Sequence, residues 1–432
     1  MSLQKKMSFS LIISILGVLV VTIVITHITL NSIHQANLKF ILKNSDLKTI
    51  SYGLFMNSTK ADCTTPHNLF QNKSPGETTY FLSQEFIPDE NITCTQTTFV
   101  QCEEPERFKP ITNKTFNVAL LRRPYWMDAA EFFNFSNCVY SGCNFQDDHI
   151  DESTHMVVIQ LQHMRDNFTV LSRWPHQLYV ATSWEPPSHL RAQFVKDRNS
   201  FWNSQFNLTA TYRTDSDLFI PYGMLQFKPV PLNKRPDYYS IAQKKSKWVA
   251  WFVSSCRSPS KREIYVQQMQ KIIPVDIYGR CGAPCQDPKP MCYTSNLLQY
   301  RYYLSFENNF CKDYVTEKLF KLFWGGMHVV PVVRGGFDYD TQLPDLTYIN
   351  AGSFPNATEL ALFLQKLGQD TSTYAKYLER IDMYRILDGS WPTSIGCKVC
   401  KYLHTRKLQS QIDDLKKWIS DDVCHAPKDI DQ

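Results

Sequence analysis

The sequence predicts an α/β protein: two parallel-sheet units facing each other across a cleft, preceded by a transmembrane helix and a stem. Three observations predict it. Short apolar runs, the mark of strands buried on both faces, recur in two blocks, and in the second block they alternate with helical patterns. A stretch in which Pro229, Pro231 and Pro236 sit among Lys and Arg separates the blocks, and proline breaks both regular structures. An apolar stretch from Phe9 to Ile28 precedes both, and roughly 20 such residues span a bilayer core.

Lys5 and Lys6 lie just before the apolar stretch, which keeps the short N-terminus cytoplasmic. No small-x-small cleavage site follows, so the helix is expected to stay as an anchor. The body then lies in the lumen. Eight Asn-x-Ser/Thr sequons agree with that side: Asn57, Asn72, Asn91, Asn113, Asn134, Asn167, Asn207 and Asn356, all after the anchor. The 13 cysteines read there as disulfides, and the odd count leaves at least one unpaired or shared between the chains of a homodimer. The expected layout is a tail at 1–8, anchor at 9–30, stem at 31–115 with an ordered part near Cys94 and Cys102, first α/β domain at 116–230, linker at 231–246 and second α/β domain at 247–425.

Within the first domain, FNVALLRR, HMVVIQL from His155 and LYVATSW from Leu178 read as buried strands. The second domain is clearer. KWVAWFVSS (247–255), VDIYG (275–279), YRYYLSFEN (300–308) and HVVPVVRGG read as strands. KREIYVQQMQKI (261–272), the segment from Asp313 to Gly325-Gly326, and residues 356–368 and 371–386 read as helices. A chain of 432 residues with 43% hydrophobic and 20% charged residues has material for two cores, so disorder throughout is excluded. The net charge of +5 is too small to call for nucleic acid. Short basic runs, Lys244 to Lys247 and Lys261-Arg262, suit a single anionic ligand, although most such runs are solvated surface.

Chemistry concentrates where the strand at 300–308 turns into the next helix. Ligands of open parallel sheets sit beyond the C-terminal strand ends. A helix N-terminus there favours phosphate. Lys318 stands about one turn into the expected helix, placed to neutralise the charge of a leaving diphosphate. Glu317 offers a carboxylate to sugar hydroxyls, and Asn308 and Tyr314 offer further hydrogen bonds. Across the expected cleft, Glu185 follows a buried strand and precedes Pro186-Pro187, which puts a carboxylate at a strand's C-terminal edge. A surface Glu-Lys pair and a surface Glu in a proline turn are the plain alternatives.

YYLSFENNFCKDYVTEKLF resembles the α1,3-fucosyltransferase motif, in which F-E-N is followed by Y-[VI]-T-E-K. The resemblance covers most of residues 116–424, including FNLTATYRTDSDLFIPYG (206–223) and VDIYGR (275–280). It implies glycosyltransferase family 10: a type II Golgi membrane enzyme with a GT-B fold of two facing Rossmann-like domains, taking GDP-fucose as donor. The reaction implied is inverting transfer of L-fucose from GDP-β-L-fucose to the 3-OH of a GlcNAc, GalNAc or Glc-type residue. N-glycan cores and outer lactosamine or LacdiNAc chains are both open as acceptors. By position, Asn308, Tyr314, Glu317 and Lys318 match donor contacts, and either Lys261 or Arg262 meets the diphosphate. Arg262 is preferred because a guanidinium binds phosphate in a bidentate manner. Glu185 matches the family's catalytic Glu, with Pro186 standing where the family has Ser. A non-catalytic glycan-binding ectodomain is the alternative, and it would have no need of a base opposite a phosphate lysine.

No DxD-type metal motif stands out, since Asp147-Asp148 and Asp413-Asp414 lie in unsuitable places. No obligatory metal is expected, with stimulation by Mn2+ or Mg2+ left open. The resemblance also implies that Cys397 and Cys400 pair with Cys138 and Cys143, stapling the C-terminus across both domains. Near the donor domain, the two cysteines paired in vertebrate members are absent at matching positions, Ala250 being one. Disulfides there are therefore doubtful, and Cys281, Cys285 and Cys292 leave a zinc set open.

Overall fold

Two parallel sheets carry the chain, one in each of two lobes. The computed structural model describes residues 94–102, 114–121, 133, 135, 138–147, 149–163, 173–190, 204–284, 297–387, 393–405 and 411–430. All of these belong to one unit, Cys63–Gln432. The expected anchor, most of the stem, Cys63, Cys285, Cys292 and the sequons at Asn57, Asn72, Asn91, Asn113, Asn134 and Asn167 lie outside the described residues. Among the described residues no helix is long and apolar enough to cross a membrane.

The first sheet holds β1 (Phe116–Leu121), β2 (Cys143–Asp147), β3 (Thr154–Gln160), β4 (Leu178–Ser183), β5 (Leu208–Thr211) and β6 (Leu218–Phe219). Their order is β2-β1-β3-β4-β5-β6, and every pairing is parallel. Three of these strands were legible as apolar runs; β2, β5 and β6 are polar or too short to show. The second sheet holds β7 (Lys247–Phe252), β8 (Val275–Tyr278), β9 (Tyr300–Phe306), β10 (Val330–Arg334) and β11 (Ile349–Asn350), in the parallel order β8-β7-β9-β10-β11.

Among the described residues the helices are α1 (Tyr238–Gln243), α2 (Arg262–Met269), α3 (Glu317–Phe320), α4 (Tyr339–Gln342), α5 (Ala357–Gln369), α6 (Thr371–Asp382), α7 (Thr393–Thr405) and α8 (Leu415–Ser420). Local chemistry starts α5: the Asn356 side chain caps it by accepting from Glu359 N at 3.0 Å, and Leu360, Leu364 and Leu367 then bury one stripe. The pattern expected to be helical as far as 386 ends at Asp382. Residues Tyr384–Ile386 instead pair antiparallel with Leu225–Phe227, which pair in parallel with Val100–Gln101.

The period of two in β3 divides the first lobe's core. Met156 and Val158 pack into one cluster with Ile395, Val399 and Leu403 of α7. Val157 and Ile159 pack into another with Leu415 and Ile419 of α8. The C-terminal helices therefore cover the first sheet, so the expected unit at 247–425 gives up its last helices to the other lobe. The second lobe gains at its N-terminal side. Phe99 and Val100, expected in the stem, join its core, and α1, inside the expected linker, docks on α6 through Tyr238 Oη donating to Asp382 at 2.8 Å.

The disulfides follow this packing. Cys138 is bonded to Cys397 and Cys143 to Cys400, and all four stand at the first sheet. They fasten α7 to that lobe and do not staple across the two lobes. Cys94–Cys102 closes the segment before β1. The doubted disulfides of the second lobe exist, Cys256–Cys281 and Cys311–Cys424, and the first of them removes Cys281 as a zinc thiolate. The sequon at Asn207 also needs correction. Its side chain is buried and its Oδ1 accepts from Tyr179 N at 2.9 Å, which places it inside the first lobe and not on a glycan-bearing surface. Asn356 is half-buried at its cap.

Candidate active site

The C-terminal ends of β4 and β9 meet where the lobes touch. From the second lobe, β9 runs into Glu307, whose side chain is buried with no exposed surface. Glu307 Oε1 accepts from Thr316 N and Thr316 Oγ1, each at 2.9 Å, and Oε2 lies 2.9 Å from Lys318 Nζ. Lys318 Nζ also donates to Thr316 Oγ1 at 2.7 Å and lies 3.5 Å from the exposed Glu317 carboxylate. Burial disfavours the charge on Lys318, but Glu307 and then Glu317 outweigh it and hold the ammonium above the ordinary lysine range. Burial likewise pushes Glu307 up, with Lys318 pulling it back.

The helix expected from Asp313 is much shorter. Thr316 caps it, and only Glu317–Phe320 are α-helical before a tighter turn at Lys321–Trp324. Asp313 has left-handed backbone (φ 59°) and its carboxylate accepts from Thr214 N at 3.0 Å and Thr214 Oγ1 at 2.7 Å. Those residues are spent on contact with the first lobe, so Lys318 stands in the first turn of a four-residue helix. The lysine and its carboxylates, not a long helix dipole, give this corner its electrostatics.

Lys261 and Arg262 separate clearly. Lys261 is exposed, with left-handed backbone (φ 48°) at the cap of α2. Arg262 is buried, and its Nη1 donates to Phe306 O at the end of β9 at 2.7 Å. Its Nε has no partner. Asn308 Oδ1 and Asn309 Nδ2 are likewise buried without a partner. Unmet buried polar atoms cost about 1–3 kcal/mol each, and a cluster of them at one strand end suits a polar ligand.

From the first lobe, Glu185 leaves β4 through a pinned turn. Ser183 Oγ accepts from Glu185 N at 3.2 Å and donates to Glu185 O at 2.9 Å. Pro186 is extended (φ −68°, ψ 164°) at the cap of the single turn Pro187–His189. Proline fits that geometry. Tyr314 Oη donates to Glu185 Oε2 at 3.2 Å across the lobes, and His189 Nδ1 lies 2.8 Å from the same oxygen. The Tyr314 ring is edge-on to Tyr212 at 4.9 Å and to Tyr222 at 6.1 Å. Ser188 Oγ donates to Asn309 Oδ1 at 2.9 Å, a further bond between the lobes.

The structure thus brings Glu185 and Tyr314 into contact, sets Lys318 on Glu307 in the same turn-and-helix segment, and leaves Lys261 in solvent. Sequence reasoning missed Glu307, His189, Ser188 and Asn309. Glu307 carried a signal: an acidic residue directly after a run of buried strand needs a cation. The other three are ordinary polar residues whose partners come from the other lobe or from a turn. Among the described residues one group has metal-ligand spacing, Cys143, Cys400 and His404, and its two sulfurs are joined in a disulfide.

Two parallel α/β lobes, with a carboxylate at a strand end of one and a largely buried lysine at a strand end of the other, make a layout that suits a polar, anionic ligand at the junction. Two family models match, "Fucosyltransferase, N-terminal" over residues 113–223 and "Glycosyltransferase family 10 (fucosyltransferase) C-term" over 242–418. The chain belongs to glycosyltransferase family 10. It is 37% identical over 267 residues to α-(1,3)-fucosyltransferase C of Drosophila melanogaster, covering 57% of this chain and 60% of that protein. It is 34% identical over 226 residues to glycoprotein 3-α-L-fucosyltransferase A of the same fly, covering 50% and 44%. With mouse α-(1,3)-fucosyltransferase 4 the identity is 32% over 254 residues, covering 58% and 57%. The chain thus spans less than two thirds of the length of these relatives. A solved α1,3-fucosyltransferase with GDP-fucose aligns over 72% of this chain and 96% of its own, at 15% identity and a TM-score of 0.46.

Proposed function

We propose that the chain is an inverting α1,3-fucosyltransferase, moving L-fucose from GDP-β-L-fucose to the 3-OH of a GlcNAc, GalNAc or Glc-type residue in an N-glycan or a lactosamine or LacdiNAc-type chain. The observation that carries the reading is the 3.2 Å contact between Tyr314 Oη and Glu185, which brings a carboxylate from one lobe to the cation-bearing corner of the other. In this reading Glu185 takes the proton from the acceptor hydroxyl. The freed oxygen attacks the anomeric carbon as its bond to the diphosphate breaks on the opposite face. Lys318 and Arg262 offset the charge on the departing GDP. Asn308 and Glu317 hold the donor's hydroxyl-bearing parts. Two cations at the corner do the phosphate work, so turnover is expected to survive chelation, with Mn2+ or Mg2+ only stimulating. The anchor, the lumenal side and a Golgi membrane address belong to the same reading.

Glu185→Gln tests it directly. The variant should bind GDP as the parent does and lose transfer to GlcNAc-containing glycans; near-full activity would remove Glu185 as the base. A panel of core and outer-chain acceptors with linkage analysis of the product fixes the acceptor, and binding of glycans with no turnover on any of them would favour the non-catalytic ectodomain.

A further inference from the structure

We infer that His189 is a positioning residue for Glu185: it holds one carboxylate oxygen so that the other is left to accept the acceptor's proton. This rests on the reading of Glu185 as the base.

Geometry carries it. Glu185 and His189 are four residues apart on a turn closed by His189 N donating to Pro186 O at 2.9 Å and Leu190 N donating to Pro187 O at 3.0 Å. Leu190 is buried in the first lobe's core, so the turn is anchored at its far end as well as by Ser183 at its near end. The carboxylate is about one-third exposed, yet both of its side-chain contacts fall on Oε2: His189 Nδ1 at 2.8 Å and Tyr314 Oη at 3.2 Å. A carboxylate that is to take a proton can only accept, so in this reading Nδ1 is the donor of the pair. With Oε2 accepting twice, Oε1 keeps its lone pairs for an incoming hydroxyl. A base whose two oxygens were free to exchange by rotation would spend part of its time with neither aligned, and loss of alignment is costly in rate. The other titratable groups that act on this cluster are Tyr212 and Tyr222 from the first lobe and Glu307 and Glu317 from the second.

The test uses the full chain with GDP-fucose and a GlcNAc-containing glycan, and compares His189→Ala, His189→Asn and His189→Gln. Asparagine puts a donor nitrogen near the place of Nδ1, and glutamine puts one near the place of Nε2. Alanine should lower kcat by about 10- to 100-fold, a modest share of what general base catalysis provides. GDP affinity and the unfolding midpoint should stay at the parent's values, because the pair is half in solvent. Asparagine should recover most of the rate, and glutamine should not. A parent-like kcat in His189→Ala would overturn the inference, as would equal losses in all three variants accompanied by weaker GDP binding or a lower midpoint. Glu185→Gln run alongside separates the two readings. If it stays active, the base assignment falls and this inference with it; if it is inactive while His189→Ala matches the parent, only the role of His189 falls.

Discussion

Lys318→Met isolates the buried ion pair at the centre of the candidate site. Lys318 Nζ and Glu307 Oε2 are 2.9 Å apart, and at an effective dielectric near 20 that separation is worth about 6 kcal/mol of attraction. Part of this is offset by the desolvation of Lys318, whose side chain keeps only 20% exposure. Removing the lysine leaves Glu307 buried and without its cation, a change that typically costs about 3–5 kcal/mol. Protonation sets a ceiling on the loss. Taking up a proton at pH 7.5 by a group whose ordinary value is 4.5 costs about 4 kcal/mol. The sign follows: burial already raises Glu307 in the fold, and without Lys318 it rises further, so the variant binds more protons folded than unfolded and gains stability as the pH falls. Guanidinium unfolding with the disulfides intact should show a deficit of about 3–4 kcal/mol at pH 7.5 that shrinks by about 1.4 kcal/mol per pH unit toward pH 5.5. Adding Glu307→Gln should restore most of the loss, because the stranded charge is then gone. A deficit that does not change with pH, or a double variant as unstable as the single, would refute the pair as described.

The remaining predictions concern the phosphate contact and the covalent ties. Arg262→Lys keeps the charge but not the fork, and it should weaken GDP binding by about tenfold in calorimetry, whereas Lys261→Ala should stay within about twofold; the reverse ranking would reassign the contact to Lys261. Replacing Cys143 and Cys400 together by Ser removes the tie between α7 and the first sheet and should cost about 2–5 kcal/mol in denaturant unfolding, and an unchanged midpoint would mean that Cys138–Cys397 alone holds the helix.

Much of this architecture was legible because parallel strands buried on both faces write continuous apolar runs. VVIQ in β3, YVAT in β4 and YYLSF in β9 are such runs, and each was located. The strand CNFQD was not, because it lies at the edge of its sheet, where one side of the strand is unpaired and polar residues are tolerated. The lobe assignment of the C-terminus was also hidden. Ile395, Val399 and Leu403 state only that α7 has an apolar face, and nothing local says that the face belongs to β1 and β3 and not to the sheet nearer in sequence. The helix after β9 was over-read for a related reason. KDYVTEKLF has helical propensity, but Asp313 and Tyr314 are drawn out of helical geometry by partners on the first lobe, and tertiary contact overrides local preference.

Tyr314 is where the family resemblance and the geometry pull apart. The resemblance makes it a donor contact, yet its hydroxyl is given to Glu185, its ring packs edge-on against Tyr212 and Tyr222, and the side chain is buried. Burial, followed by Tyr222 and Glu185, holds the phenol well above its ordinary value, so it remains a hydrogen-bond donor at any pH at which the chain works. Tyr314→Phe keeps the ring contacts and deletes one bond to a partly exposed carboxylate, at a cost of about 1 kcal/mol or less in stability. If the hydroxyl serves the base, kcat should fall by about tenfold while GDP affinity holds within about twofold, and the loss should not add to that of Glu185→Gln. If the hydroxyl serves the donor, GDP binding weakens and the change persists in the Glu185→Gln background. The second result would mean that the contact between Tyr314 and Glu185 is exchanged for the donor when substrate enters, and that the lobes must shift to release it.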